Sequence, residues 1–176
     1  KGIIMAIYSH NHIRESAREL IKKFELEEPP VDVRQIAKKL DIEIIELTLP
    51  IWFSGALLNT AGDFYIVLNK VMPETRKTFT IAHEIAHHQM DHHELCYLEN
   101  RQKPFYHLEA DIYAAELCMP STMVRREASR WSNDHKFLAQ LFNVDEQTMI
   151  RKLEELNLIP QGRYNWQQAA IFGASY

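Results

Sequence analysis

Five of the nine histidines lie within eleven residues, in the segment that begins at His83. Two of them, His83 and His87, frame the sequence His-Glu-Ile-Ala-His. On an α-helix, residues four apart lie on one face about one turn apart, so both imidazoles can reach one metal ion from the same side. Glu84 lies one position further round the helix, where its carboxylate can take a proton from an attacking water molecule and pass it to a leaving amine. The spacing therefore predicts a metal site with a catalytic base beside it.

A third ligand has to come from elsewhere, because catalytic zinc sites usually have three protein ligands. Its best source is residues 106–120, which are predicted to be helical from four apolar positions, Leu108, Ile112, Ala115 and Met119. The candidate ligands on this helix are His107, Glu109, Asp111 and Glu116. His107 and Asp111 share a face, whereas Glu109 is turned by about 200° from His107. His107 and Glu109 therefore cannot both face the metal, and helical spacing alone leaves either one as the third ligand.

Other chemically active residues near the motif have simpler interpretations. We expect His88, His92 and His93 to be solvated residues at the end of the metal helix. Tyr113 and Cys118 are predicted to be core residues, and Cys96 a free thiol in a loop.

The elements that must position these residues follow from the hydrophobic pattern. Helices are predicted over residues 14–24, 32–40, 74–91, 106–119, 121–130, 135–142 and 145–157, with Asp32 as the N-cap of the second. A strand is predicted at 42–47, and strands 55–60 and 64–69 flank a turn at 61–63 that contains a glycine. The chain thus predicts an α+β fold with a small antiparallel sheet beside the metal helix.

Composition sets the outer limits on function. The 176 residues are 46% hydrophobic and 25% charged, which fits a globular domain that forms its own core. A formal net charge of −4 provides no overall field to attract nucleic acid, and no apolar run is long enough to span a membrane. We expect a cytoplasmic protein whose two cysteines are free thiols.

The string RKTFTIAHEIAHH, followed by EADIYAAELCMP, resembles the ImmA/IrrE family of metallopeptidases. Members of that family carry an Arg-x-x-Phe-Thr-x-Ala-His-Glu-x-x-His helix and a later Glu-x-x-Ala-Asn/Asp-x-Phe-Ala-Ala-Glu-Leu-Leu-Met-Pro helix. Further matches lie at PPVDVRQIAKKLDIEI and LAQLFNVDEQTMIRKLEEL, so the resemblance covers about residues 12–158. It implies a gluzincin-like site, in which two histidines and a glutamate hold zinc, and an enzyme that cleaves helix-turn-helix transcriptional repressors.

The resemblance carries over to individual residues with one departure. Ala110-Asp111 aligns with the family's Ala-Asn/Asp pair, so the position of the liganding glutamate is occupied by His107. This favours His107 over Glu109 as the third ligand and makes Asp111 the hydrogen-bond acceptor that holds a ligand histidine. Arg76 matches the arginine before the metal helix, where it could pair with Asp111 or Glu116.

The chain is therefore expected to contain a zincin-like peptidase core at 1–120, a helical segment at 121–158 and a C-terminal tail at 159–176, together forming one compact domain. We expect a zinc-dependent endopeptidase that cuts a helix-turn-helix repressor and so relieves repression of mobile-element or stress-response genes. The edge that holds the substrate would be strand 55–60 or strand 64–69. We expect the apolar tail residues Trp166, Ile171 and Phe172 to pack on the core or to mediate self-association.

Two alternatives belong to other classes of function. One is a non-catalytic metal-binding interaction protein that binds a regulator. The other is a DNA-binding module, because residues 137–156 have helix-turn-helix spacing. Charge disfavours DNA binding: residues 136–158 sum to −1, and the second helix begins with two acidic residues, Asp145 and Glu146. A helical pair that supports the peptidase or grips its protein substrate is favoured instead.

Overall fold

The structure is a computed structural model that describes residues 9–92 and 103–162. The described helices are α1 (His10–Lys23), α2 (Val33–Lys39), α3 (Glu74–Gln89), α4 (Lys103–Cys118), α5 (Ser121–Arg130), α6 (His135–Leu141) and α7 (Glu146–Glu155). The described strands are β1 (Ile42–Leu47), β2 (Gly55–Thr60) and β3 (Asp63–Asn69). The predicted α+β class is confirmed, and the largest shift of a helix start is that of α1, at His10 instead of residue 14. The predictions for Cys96 and for Trp166, Ile171 and Phe172 lie outside the described residues.

Aspartates begin three of the helices. Oδ1 of Asp32 accepts from the Gln35 amide at 3.0 Å, so Asp32 is the predicted N-cap of α2. Asp134 caps α6, and Asp145 caps α7 by accepting from the Thr148 amide at 2.9 Å. A cap of this kind stabilises a helix by about 1 kcal/mol. Within the described residues, no helix is long and apolar enough to cross a membrane.

The sheet is mixed, which corrects the expected antiparallel pairing of all three strands. The predicted hairpin of β2 and β3 is present, but β3 lies in the centre and runs parallel to β1. The segment 48–54 carries the chain from β1 to the far side of the sheet, and β3 then fills the gap between β1 and β2. Asn69 fixes this connection, because its buried side-chain nitrogen donates to the carbonyl oxygens of Leu49, Pro50 and Phe53 at 2.9–3.1 Å.

Helix α3 forms the centre of the fold, with the sheet on one side and α4 on the other. Residues 80–86 of α3 are all buried, and Ala110, Tyr113 and Ala114 of α4 are buried in the same core. Gly55 allows β2 to approach α3 closely, since a Cβ atom there would lie 2.7 Å from Cγ2 of Thr80. Tyr113 and Cys118 are core residues, as predicted.

A buried carboxylate joins the C-terminal helices to this centre. Glu116 of α4 is fully buried and accepts from Arg18 of α1 at 2.8 Å, from Lys152 of α7 at 2.6 Å and from the backbone and hydroxyl of Ser121. Burial alone would raise the pKa of Glu116, but Lys152, Ser121 and Arg18 together hold it below its usual value. Four helices therefore meet at one ionised side chain.

Candidate metal centre

Three imidazoles converge where α3 faces α4. His83 and His87 lie one turn apart on α3, and their Nε2 atoms are 3.0 Å apart. His107 of α4 places its Nδ1 atom 3.3 Å from Nε2 of His83. All three nitrogens lie within 4.8 Å of one another. The structure thus brings together the three residues that the sequence analysis predicted as metal ligands.

The donor set fits a metal ion. Two nitrogens that each lie about 2.0–2.1 Å from a tetrahedral zinc ion are about 3.3–3.4 Å apart, close to the two separations from Nε2 of His83. Imidazole binds metal only in its neutral form. Burial, together with the neighbouring His83, His92 and His107, lowers the pKa of His87 from 6.5 to about 2, so this ring stays neutral. The site can therefore offer unprotonated nitrogen to a divalent cation at neutral pH.

Asp111 orients the first of these histidines. Its Oδ1 atom lies 2.8 Å from Nδ1 of His83, on the opposite side of the ring from Nε2. If Nδ1 carries the proton and donates it to the carboxylate, Nε2 is left with a lone pair directed at the other two imidazoles. This is the arrangement that the sequence predicted for Asp111.

Glu109, the alternative third ligand, does not join the group of three imidazoles. Its Oε2 atom instead lies 3.3 Å from Nε2 of His92, whose Nδ1 lies 3.0 Å from Nδ1 of His87. The expected solvation of His92 is wrong: only 3% of this residue is exposed. Asp91 adopts the left-handed conformation with φ of 54°, which ends α3 and turns the chain so that His92 folds back on His87.

The sequence offered only a weak signal for His92, namely an aspartate at a helix end, where the left-handed conformation is tolerated. His88 is half-buried, with its ring packed edge-on against Phe64 at 4.4 Å between centroids, so it is not simply solvated either. His93 lies outside the described residues.

Glu84 lies between the imidazoles and the edge of the sheet. It is 5% exposed, and its Oε2 atom accepts from the backbone amide of Leu57 in β2 at 2.9 Å. Burial raises the pKa of Glu84, although His83 and the Leu57 amide act in the opposite direction. A carboxylate with a raised pKa is better able to accept and return a proton near neutral pH.

Arg76 does not make the predicted contact with Asp111 or Glu116. Its side chain is exposed and donates to the hydroxyl of Ser54 at 3.2 Å. Glu116 is already neutralised by two cations from distant parts of the chain, Arg18 and Lys152. Arg76 therefore ties α3 to the segment before β2.

A groove begins next to the metal centre. It has a cavity volume of about 640 Å³, and Asp111 lines it together with Arg76, Phe79 and Ile112. Its lining combines apolar side chains with charged groups from α1, α3 and α7. Asp111 thus has His83 on one side and an open surface on the other.

Comparisons with known proteins agree with this architecture. The family model described as the IrrE N-terminal-like domain, peptidase M78, matches residues 37–154. A relative, the uncharacterized immunity region protein 2 of Bacillus phage phi105, is 26% identical over 116 residues, which cover 64% of this chain and 71% of the relative.

A solved Mycobacterium tuberculosis transcriptional regulator shares the fold, with a TM-score of 0.67 over 89% of this chain and 17% sequence identity. The present chain spans half the length of that structure. Two-thirds of the chain match the peptidase family model, including both helices of the metal centre. The chain therefore belongs to the M78 peptidase family of IrrE N-terminal-like domains.

Proposed function

We propose that this chain is a zinc-dependent endopeptidase whose substrate is a helix-turn-helix transcriptional repressor. The observation that carries the proposal is the convergence of three imidazoles beside a buried carboxylate at the edge of a sheet. His83, His87 and His107 would hold the zinc ion. When bound, zinc supplies Lewis acidity, which polarises the scissile carbonyl and makes water easier to deprotonate.

Glu84 is assigned the proton transfers. Its carboxylate takes a proton from the attacking water and gives it to the nitrogen of the leaving amine as the peptide bond breaks. The hydrogen bond from Leu57 holds Oε2 in place, which leaves Oε1 to act as the base. Burial favours the protonated form that follows the first transfer.

Strand β2 is the assigned docking edge for the substrate. β3 lies in the centre of the sheet, so residues 64–69 cannot supply a free edge, whereas β2 is paired on one side only. The Leu57 amide points away from β3 and toward Glu84, so a peptide added as a strand along β2 would pass directly by the catalytic carboxylate. We assign substrate side chains near the cut to the groove beside Asp111.

The identity of the substrate rests on the family. The resemblance to the ImmA/IrrE family implies cleavage of helix-turn-helix repressors, and the phage relative is named as a protein of an immunity region. We infer that cutting the repressor relieves repression of mobile-element or stress-response genes.

The DNA-binding alternative is disfavoured by packing. Lys152, one of the three basic residues of segment 136–158, is 2% exposed and bonded to Glu116, so it cannot contact phosphate. Asp145 at the start of α7 serves as a helix cap.

The Glu84→Gln variant tests the proposal. It keeps the size of the side chain but cannot accept the proton, so zinc and fold should be retained while cleavage is lost. The variant should co-purify with uncut repressor from host cells, and the parent protein plus zinc should then cut that repressor in vitro. Glu43→Gln, at an exposed position of β1, is the matched control and should cut normally. Equal derepression by Glu84→Gln and parent would instead support the non-catalytic interaction protein.

A further inference from the structure

We propose that His92 and Glu109 form a hydrogen-bonded relay that holds His87 in its metal-binding orientation. The inference rests on the proposed metal centre and extends it by two positioning residues outside the three imidazoles. The relay runs from Nδ1 of His87 to Nδ1 of His92, at 3.0 Å, and from Nε2 of His92 to Oε2 of Glu109, at 3.3 Å.

Only one arrangement of protons satisfies both contacts and leaves His87 able to bind metal. Nε2 of His87 faces Nε2 of His83, so it must keep its lone pair, and the ring proton must be on Nδ1. Nδ1 of His92 then accepts the hydrogen bond that Nδ1 of His87 donates. The ring proton of His92 is therefore on Nε2. The Glu109 carboxylate accepts from Nε2 and completes the relay.

The surroundings of His92 hold it in this position. The residue is 3% exposed, and its ring packs against those of His87 and Tyr106, with centroid distances of 5.1 and 4.8 Å. The side chain of Glu109 is 13% exposed, so solvent competes little for its hydrogen bond to His92. A buried imidazole with partners on both nitrogens has one favoured tautomer.

In the relay, the two candidate ligand histidines of α3, His83 and His87, are each oriented by a carboxylate. His83 is oriented directly by Asp111, and His87 is oriented through His92 by Glu109. Both carboxylates come from α4, which also supplies His107. Helix α4 therefore controls all three imidazoles, and Glu109 contributes from the face that points away from His107.

Zinc affinity of the whole chain, measured by competition with a chromogenic chelator, tests the relay. His92→Phe keeps a ring against Tyr106 but removes both nitrogens, so its zinc dissociation constant should rise about 10–100-fold. Glu109→Leu should have a similar effect. Glu109→Gln retains a carbonyl oxygen that can accept from His92, so its loss should be smaller. His135→Phe removes a histidine whose Nδ1 lies 3.0 Å from a carboxylate oxygen of Glu146 in another part of the fold, and should leave zinc affinity unchanged.

A second readout separates orientation from general packing. Nitrogen chemical shifts of the metal-free protein should show His87 protonated at Nδ1 in the parent and as a mixture of tautomers in His92→Phe. Zinc affinity within twofold of the parent in both His92→Phe and Glu109→Leu would overturn the relay. If His92→Phe does not fold, Glu109→Leu decides by the same criterion. Failure of the parent itself to bind zinc would instead refute the metal centre.

Discussion

The carboxylate of Asp111 and the imidazole of His83 are 2.8 Å apart, between Oδ1 and Nδ1, across the interface of α3 and α4. One hydrogen bond thus connects the two helices and aims Nε2 of His83 at the other two histidines. The groove opens on the other side of Asp111. The same side chain therefore links the metal centre to the surface on which we place the substrate.

Removal of Asp111 should weaken zinc binding. Asp111→Ala leaves Nδ1 of His83 without its acceptor, and the zinc dissociation constant should rise about 10–100-fold. Asp111→Asn keeps an oxygen that can accept the same hydrogen bond, so its effect should be smaller. Chelator competition measures both variants. Equal affinities for Asp111→Ala and the parent would show that this contact does not support the metal.

The third ligand can be identified by comparing substitutions on α4. His107→Ala removes a direct donor and should weaken zinc binding by more than about 100-fold, beyond the effect of any Glu109 variant. His107→Glu should retain the metal, because a carboxylate at the same helical position can reach it. Zinc content after dialysis measures these differences. A site emptied by Glu109→Ala but filled in His107→Ala would mean that α4 is rotated from the position described.

Gly55 should not tolerate a side chain. A Cβ atom there meets Cγ2 of Thr80 at 2.7 Å and the carbonyl oxygen of Val67 at 2.9 Å. Gly55→Ala should lower the free energy of unfolding by about 1–3 kcal/mol and displace β2 from Glu84. Urea denaturation measures the loss. The double variant with Thr80→Ala should recover only part of it, because the clash with backbone remains, and an unchanged unfolding energy for Gly55→Ala would contradict this packing.

The local parts of the fold and site could be predicted from the sequence. His83 and His87 meet because helical geometry alone places residues four apart on one face. His107 was favoured over Glu109 only by the resemblance to the family pattern. The strand order could not be predicted, because the position of β1 beside β3 is set by the path of segment 48–54. The burial of His92 could not be predicted either, because it depends on the left-handed conformation of Asp91 and on side chains from α4.

The hydrogen-bond partner of Arg76 could not be predicted from the local sequence pattern either. Glu116 is bonded to Arg18, which is 98 residues away, and to Lys152, which is 36 residues away. Hydrophobic periodicity does not show which of several basic side chains will pair with a buried carboxylate that is distant in sequence.

Lys152 should be important for stability. Lys152→Met leaves Glu116 buried with one fewer cation, and breaking a buried ion pair costs about 3–5 kcal/mol. Chemical denaturation of the metal-free protein measures the loss. Lys136→Met, at an exposed position of the neighbouring helix, should change the unfolding energy by less than about 0.5 kcal/mol. A loss for Lys152→Met no larger than for Lys136→Met would show that this ion pair does not stabilise the fold.

The lowered pKa of Glu116 predicts that the free energy of unfolding depends on pH in the acid range. Its pKa in the folded protein lies below the usual 4.5, so its contribution to stability is fully present above pH 4.5. Below that value the unfolded chain takes up the proton first, and the contribution falls as the pH approaches the folded-state pKa. The Glu116→Gln variant should therefore lose less stability than the parent between pH 5 and pH 3. Parallel denaturation curves measure this difference, and identical pH profiles would contradict it.

Metal analysis of the parent chain tests the central claim most directly. The protein is incubated with zinc and dialysed to remove unbound ion. Three convergent imidazoles predict about one equivalent of retained zinc per chain, and the His83→Ala variant should lose most of it. Retention of less than about a tenth of an equivalent by the parent would contradict a metal centre at His83, His87 and His107.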